Sequence, residues 1–426
     1  MSASETPSES GQKHEEWDTA WDPSLGPTKP AWAHVVWIFC HSFVGVLDFF
    51  FFRSKFNGRE HFPKEGPFLL ISNHVSMFDP VWSAWPIPRR DVHFMAASTL
   101  FRIPILGPLI RQLGAFPKAK FVKDAGAAKE MVEICRRGGV VVMFPEGHRT
   151  WDGRTEPVLP GLGRMLKRTN YRVVICRNKT GHLFQPRWAW YPRYVPIHLE
   201  YEGPLEFDPS LSVEEINEKV SELIRINPDE VPVPKGSRGW RLAHGLHHFL
   251  WACPNCLEEE GMRLDPENGD RIFCRACNAT WDVDLGCNLV PVSGPAKPIK
   301  VYEAGDHIRA SITEDDLQHG EDNKGRRILL QCPEALITRR NRKTKEDEVI
   351  AQGEALLVEG AIIIRDGAGQ VTWEIEPDAL GAVSVDLGTN VWLRLVSREL
   401  LALKLEDNSP VKWVHFASRM LGRHRS

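Results

Sequence analysis

Between Ala31 and Phe52 the chain is almost wholly apolar, and it closes on four consecutive phenylalanines before Arg53 and Lys55. Such a stretch is long enough to cross a hydrocarbon core of roughly 30 Å. Its polar positions are ordered, however: His34, His41, Gly45 and Asp48 fall along one helical face. A stripe containing Asp48 is costly in lipid but tolerable for a helix lying in the interface. Residues 31–54 are therefore expected to form an in-plane or re-entrant anchor. A buried core helix is the plain alternative.

Residues 55–235 alternate short β-rich runs with helical stretches, the signature of an α/β domain. Pro67–Ser72, Val140–Phe144, Tyr171–Cys176 and Val195–Tyr201 read as buried strands, and Asp124–Arg137 as a helix stopped by Gly138 and Gly139. Ser212 and Glu215 form a capping box opening a helix to about Ile226. The proline-rich run from Pro228 to Pro234 closes the domain. Residues 236–290 begin with a helical stretch, Trp240–Trp251, and carry two cysteine pairs. Residues 291–325 read as a linker. In 326–426, short alternating runs between Ala355 and Leu405 predict a β-rich domain, capped by a helix from about Ser409 to Leu421. Residues 1–30 are polar and mostly acidic and read as a disordered tail without a secretory signal.

Composition changes this picture little. At 426 residues two or three domains are expected. A formal charge of −3 supplies no global attraction to phosphates, so any such attraction must be local. Five cysteines (Cys40, Cys135, Cys176, Cys287, Cys332) are scattered singly, which suits a reducing compartment better than a disulfide scaffold.

The chemistry sits at strand ends. In Ser72–Pro80 (SNHVSMFDP), His74 and Asp79 are five residues apart directly after a strand. A regular helix would hold the two side chains about 140° apart, but a strand-turn-helix junction can join them. A carboxylate on one imidazole nitrogen fixes the tautomer and makes the other a better base. Strand Val140–Phe144 ends in FPEGHRT, which places Glu146, Gly147 and Arg149 at a second strand end. Arg149 offers a bidentate fork for a phosphate. Between them, GAFPKAK carries Lys118 and Lys120.

These three runs resemble the glycerolphosphate/lysophosphatidic acid acyltransferase (PlsC-like) family over roughly residues 55–225. NHVSMFD matches its H-x4-D motif, which implies His74 as general base and Asp79 as its partner. GAFPKAK resembles the second motif, with Lys120 where an arginine is usual. FPEGHRT matches the third, implying Glu146, Gly147 and Arg149, with Lys118 and Lys120, as acceptor-binding residues. The fourth motif is poor: Pro160-Gly161 and Val173-Val174 lie near its place, without the customary proline before the last strand. Trp151-Asp152-Gly153 and Pro186-Arg187-Trp188 resemble a subgroup of the family. The implied reaction is direct transfer from acyl-CoA or acyl carrier protein to the hydroxyl of a lysophospholipid of the 1-acylglycerol-3-phosphate type, with the Gly147 turn as a candidate source of oxyanion-binding N–H groups. CoA-independent transacylation between phospholipids shares this chemistry. A lipid-binding scaffold with a vestigial site is the reading from another class.

Cys253-x2-Cys256 and Cys274-x2-Cys277 supply four thiolates in the pattern of a zinc ribbon, which leaves a Zn2+ ion no open position and so makes it structural. Between the pairs, six acidic residues outnumber two arginines, so no nucleic acid is expected as a partner. The fold class expected is thus α/β: a PlsC-like acyltransferase domain, a small zinc ribbon, and a β-rich C-terminal domain capped by a helix. The order of elements in that last domain is of the pleckstrin-homology type. Either added module could dock a protein partner. Arg53, Lys55, Arg59 and Lys64 follow the apolar run and place the catalytic domain on the cytoplasmic face of the membrane, among membrane phospholipids.

Overall fold

The computed structural model describes residues 18–26, 29, 31–88, 91–118, 124–341, 346–385 and 390–425. Helix α1 (Ala31–Leu47) runs into one turn of π-helix, Asp48–Phe52. Seven strands then form one sheet: β1 (Lys55–Asn57), β2 (Phe68–Ser72), β3 (Val92–Ala97), β4 (Ala115–Lys118), β5 (Val140–Met143), β6 (Val173–Asn178) and β7 (His198–Leu205). Between them run α2 (Asp79–Ala84), α3 (Leu106–Gln112), α4 (Ala125–Arg136), α5 (Gly161–Thr169) and α6 (Gly181–Phe184), and α7 (Val213–Leu223) follows. The strand order is β1-β7-β6-β2-β5-β3-β4. The five strands from β6 to β4 are parallel, and β7 turns antiparallel at β6.

Helices on both faces explain why β2 is buried along its whole length. Successive side chains alternate between faces. Leu69 and Ile71 pack with Val141, Val173 and Ile175 against Met131 of α4, Leu166 of α5 and Ile216 of α7. Phe68 and Leu70 face Trp82 and Phe184 on the other side. The Asp124 carboxylate caps α4, and the Ser212/Glu215 capping box opens α7 as the sequence indicates.

Beyond this domain lie α8 (Leu246–Phe249) and a five-stranded antiparallel sheet, β8 (Met262–Leu264), β9 (Arg271–Cys274), β10 (Thr280–Val283), β11 (Asn288–Ser293) and β12 (Ile299–Lys300), followed by α9 (Val301–Ser311). The C-terminal sheet is an antiparallel seven-stranded unit of β13 (Ile328–Arg340), β14 (Asp347–Val358), β15 (Ala361–Arg365), β16 (Val371–Ile375), β17 (Leu380–Val385), β18 (Val391–Leu395) and β19 (Leu400–Leu405). Helix α10 (Pro410–Arg425) buries Trp413 and Phe416 against it. One hydrophobic cluster runs unbroken from Phe68 through Trp251 and Trp281 to Trp413, so the three units share a core.

Three expectations need correction. Residues 291–325 are not a bare linker, because α9 buries Val301, Ala304 and Ile308 in that core. Trp240–Trp251 is not one helix: Arg241 and Gly245 both adopt positive φ, which breaks it and leaves only α8. The described end of the first thirty residues is docked: Asp22 N–H donates to the Arg136 carbonyl, Tyr171 Oη to the Thr19 carbonyl, and Lys29 Nζ to the Val92 and Leu113 carbonyls.

Among the described residues, Trp32–Phe52 is the one stretch long and apolar enough to cross a membrane. Three of the four positions of its polar stripe, His41, Gly45 and Asp48, face protein. His41 Nε2 lies 2.9 Å from the Trp85 carbonyl, Gly45 abuts the Trp85 ring, and Asp48 is buried, accepting from Ser54 N–H at 3.1 Å. The opposite face presents Trp32, Val35, Phe39, Phe43, Val46 and Phe50 outward.

Candidate active site

Three adjacent parallel strands, β6, β2 and β5, end at the same edge of the sheet, and the polar residues that follow them converge there. Ligands of open α/β sheets bind beyond such carboxyl ends. The hydrophobic run of β2 stops at Ser72, and the chain turns through Asn73 and His74 before α2 starts at Asp79. This turn brings His74 Nδ1 to 2.8 Å from Asp79 Oδ2, closing the gap that a helix would leave. The His74 ring stacks on Phe144 from the end of β5, with centroids 4.3 Å apart.

Asp79 is fully buried. A buried carboxylate is tolerable only when its lone pairs are met. Oδ2 accepts from Val75 N–H at 2.7 Å and Ser76 N–H at 2.8 Å as well as facing His74, and Oδ1 accepts from Asn178 Nδ2 at 2.8 Å. Asn178 is itself fixed, since its N–H donates to Asn73 Oδ1 and its Oδ1 accepts from Gly181 N–H. With the carboxylate as acceptor, the proton of the pair sits on Nδ1. Nε2 is then the ring atom that can take one from a substrate.

The loop after β5 closes on the same turn. Glu146 Oε1 accepts from His74 N–H at 2.6 Å and Oε2 from Glu156 N–H at 2.8 Å. Thr150 N–H donates to the His74 carbonyl at 2.9 Å. The base candidate is thus gripped at both backbone groups by one loop. Burial drives the Glu146 carboxyl up to about 8, against the two amides that favour its ionised form. Gly147 holds φ +78°, and a Cβ there would come within 2.7 Å of Leu159 Cδ1, so the turn requires glycine. Its own N–H donates to the Phe144 carbonyl at 3.1 Å.

Of the other anticipated residues, Arg149 immediately precedes Thr150 and is half-buried beside the turn. Lys118 ends β4, beyond β3 from β5. Lys120 lies outside the described residues. Sequence reasoning did not single out Asn73, Thr150, Glu156 or Asn178. The one available signal was an asparagine ending the buried run Val173–Asn178.

Far along the chain, the four cysteines meet. Their sulfur atoms all lie within 4.8 Å of one another. Cys253 Sγ is 3.8 Å from Cys277 Sγ, and Cys256 Sγ is 3.7 Å from Cys274 Sγ. Tetrahedral zinc with Zn–S bonds of about 2.3 Å sets its sulfurs about 3.8 Å apart, so the donor set and spacing fit that ion. His244, His247 and His248 are not in the cluster.

The acyltransferase family model matches residues 53–177. A 1-acyl-sn-glycerol-3-phosphate acyltransferase of Limnanthes alba is 27% identical over 189 residues, which are 43% of this chain and 66% of that protein. A chloroplastic 1-acyl-sn-glycerol-3-phosphate acyltransferase of Brassica napus is 27% identical over 29% of this chain and 36% of its own length. The chain thus spans from about a third to just under two thirds of the length of these relatives. The crystal structure of the Thermotoga maritima 1-acyl-sn-glycerophosphate acyltransferase PlsC is 23% identical, with 40% of this chain and 70% of that one covered at a TM-score of 0.35. The domain that carries His74 and Asp79 belongs to the PlsC-like acyltransferase family.

Proposed function

We propose that this protein transfers a fatty acyl group from acyl-CoA or acyl carrier protein to the free hydroxyl of a lysophospholipid of the 1-acylglycerol-3-phosphate type, at the surface of a membrane. The observation that carries this reading is the His74–Asp79 pair, 2.8 Å apart at the mouth of the sheet, in a domain of this family.

His74 Nε2 takes the proton of the acceptor hydroxyl as that oxygen attacks the thioester carbonyl. The bond to sulfur then breaks, and the thiol leaves with a proton returned from the imidazolium. Asp79 holds the Nδ1–H tautomer and stabilises the cation that forms. Such a base contributes on the order of 10²–10⁴ in rate. Arg149, with Lys118 and Lys120, binds the acceptor phosphate. Glu146, its oxygens engaged by two amides, holds the turn that presents His74. Zn2+ on Cys253, Cys256, Cys274 and Cys277 is structural. Helix α1 lies in the cytoplasmic membrane face, with its docked stripe toward the domain and its phenylalanines toward lipid.

The test is mass spectrometry of products formed from a panel of lysophospholipids, with acyl-CoA and acyl carrier protein supplied in turn. A diacyl product that depends on a thioester donor, and that falls by 10² or more in His74→Ala, is the expected result. Product formed without thioester, from a diacyl phospholipid, would replace this reading with transacylation. Full activity in folded His74→Ala would remove it.

A further inference from the structure

The loop that holds His74 continues as Arg149–Arg154, and both added domains grip it. Arg187, in the Pro-Arg-Trp run, donates from Nη1 to the Arg149 carbonyl and from Nη2 to the carbonyl of Val385, the last residue of β17 in the C-terminal sheet. Its guanidinium lies 4.3 Å from the centroid of Trp151. Trp151 in turn stacks on Phe249 of α8, with centroids 6.0 Å apart and planes inclined by 13°, and the Arg309 guanidinium of α9 lies 5.5 Å from the Phe249 centroid. At the end of the loop Arg154 donates to both oxygens of Asp306 in α9, at 2.7 and 2.9 Å.

A guanidinium is the one side-chain group whose planar fork reaches two carbonyls while its face rests on an indole. A lysine could meet one carbonyl at a time. The carbonyl that Arg187 holds belongs to Arg149, and the next amide, that of Thr150, holds His74. We propose that Arg187 is a positioning residue for acceptor recognition: it fixes the backbone at Arg149, and with it the direction of the Arg149 side chain, by tying that loop to the C-terminal sheet. The proposal rests on reading Arg149 as the ligand of the acceptor phosphate. It also gives the Trp-Asp-Gly and Pro-Arg-Trp runs a common purpose, as the two sides of one stack between domains.

The experiment measures KM for 1-acylglycerol 3-phosphate and for acyl-CoA separately in the full-length protein, with Arg187→Ala, Arg187→Lys, Arg149→Ala and the double alanine variant. Loss of two hydrogen bonds from a charged donor corresponds to about 10-fold or more. The expected result is an acceptor KM raised by that factor in Arg187→Ala, an unchanged KM for acyl-CoA, and partial recovery in Arg187→Lys. In the Arg149→Ala background, removing Arg187 should add less than about 2-fold, because residues acting through one another are not additive. A folded Arg187→Ala protein with ordinary acceptor KM, or factors that multiply in the double variant, overturns the proposal. If Arg187→Ala does not fold, Arg187→Lys decides: an ordinary acceptor KM there overturns it, and a raised one supports it. If Arg149→Ala itself leaves acceptor KM unchanged, the reading of the phosphate site fails and the proposal falls with it. If Arg149→Ala raises KM and Arg187→Ala does not, only the proposal fails.

Discussion

Asn178 donates to the Asp79 oxygen that faces away from His74, across 2.8 Å in space and 99 residues of chain. It does so from the end of β6, while His74 and Asp79 follow β2, so the register of two neighbouring strands sets the orientation of the carboxylate paired with His74. Without Asn178, that oxygen would lose the partner it has in a fully buried site.

Asn178→Ala is therefore expected to weaken both stability and chemistry. An unmet buried polar group costs about 1–3 kcal/mol, which should appear as a lower Tm. Asp79 would also hold the imidazole less firmly, so kcat should fall by roughly 10-fold with a smaller change in either KM. Asn178→Asp should be worse on both counts, since it brings a second carboxyl against Asp79. Steady-state kinetics and thermal melts of the two variants check this, and unaltered kcat in both would show that Asp79 needs no second anchor.

Glu146 predicts a pH dependence of stability. Burial raises its carboxyl from an ordinary value near 4.5 to about 8 in the folded protein. Between those values the folded state holds a proton that the unfolded state has released, so stability falls as pH rises through this window. Its contribution is fully present below about pH 4.5 and lost above about 8. Glu146→Gln, which cannot ionise, should narrow the loss. Relative to wild type, the variant should gain Tm from pH 5 to about pH 8 and then hold that gain to pH 9. A Tm difference that is flat across that range would show that the carboxyl titrates normally.

The four cysteines predict one zinc ion per chain. Elemental analysis of protein purified without chelator should find it, and replacement by Co2+ should give the absorption of a tetrahedral thiolate site. Cys256→Ser and Cys277→Ser should lose the ion. Because α8 ends four residues before Cys253, its removal should also loosen Phe249 from Trp151, seen as a change in near-ultraviolet circular dichroism. Protein that is folded, active and free of zinc would overturn the assignment.

The strands around the site were legible because a sheet covered on both faces demands continuous apolar runs, and Phe68–Ser72 and Val140–Met143 are such runs. His74 and Asp79 were legible through their motif, since spacing alone would have separated them. Asn178 was not, because its partner is distant in sequence and only the strand order brings them together. β13 escaped as well: Pro333 interrupts its pattern, and the register shifts between Cys332 and Ala335. The structure of residues 291–325 was hidden for a related reason, as the buried face of α9 spans only Val301, Ala304, Gly305 and Ile308 between polar residues.

Membrane attachment is tested best on one face of α1. Deleting residues 1–54 would remove the outward phenylalanines, but it would also strip His41 from Trp85, Lys29 from Val92 and Asp22 from Arg136. Loss of membrane binding could then follow from damage to the domain. The outward residues offer a cleaner experiment. Phe39 is 72% exposed, Phe43 57% and Phe50 67%, so replacing all three with glutamine should leave the folded domain with its Tm unchanged. Each phenylalanine buried in the acyl boundary contributes about 1.5–3 kcal/mol. Arg53, Lys55, Arg59 and Lys64 are exposed just beyond the helix and add attraction to anionic headgroups. In sedimentation with phosphatidylglycerol-containing vesicles, the triple variant should shift from the bound to the free fraction by well over 10-fold, with a further shift at high salt. Activity toward a short-chain, water-soluble acceptor should be retained, because His74 and Asp79 are untouched. If the triple variant still binds vesicles as wild type does, attachment resides elsewhere in the chain, and α1 is a core helix whose apolar face has another cover.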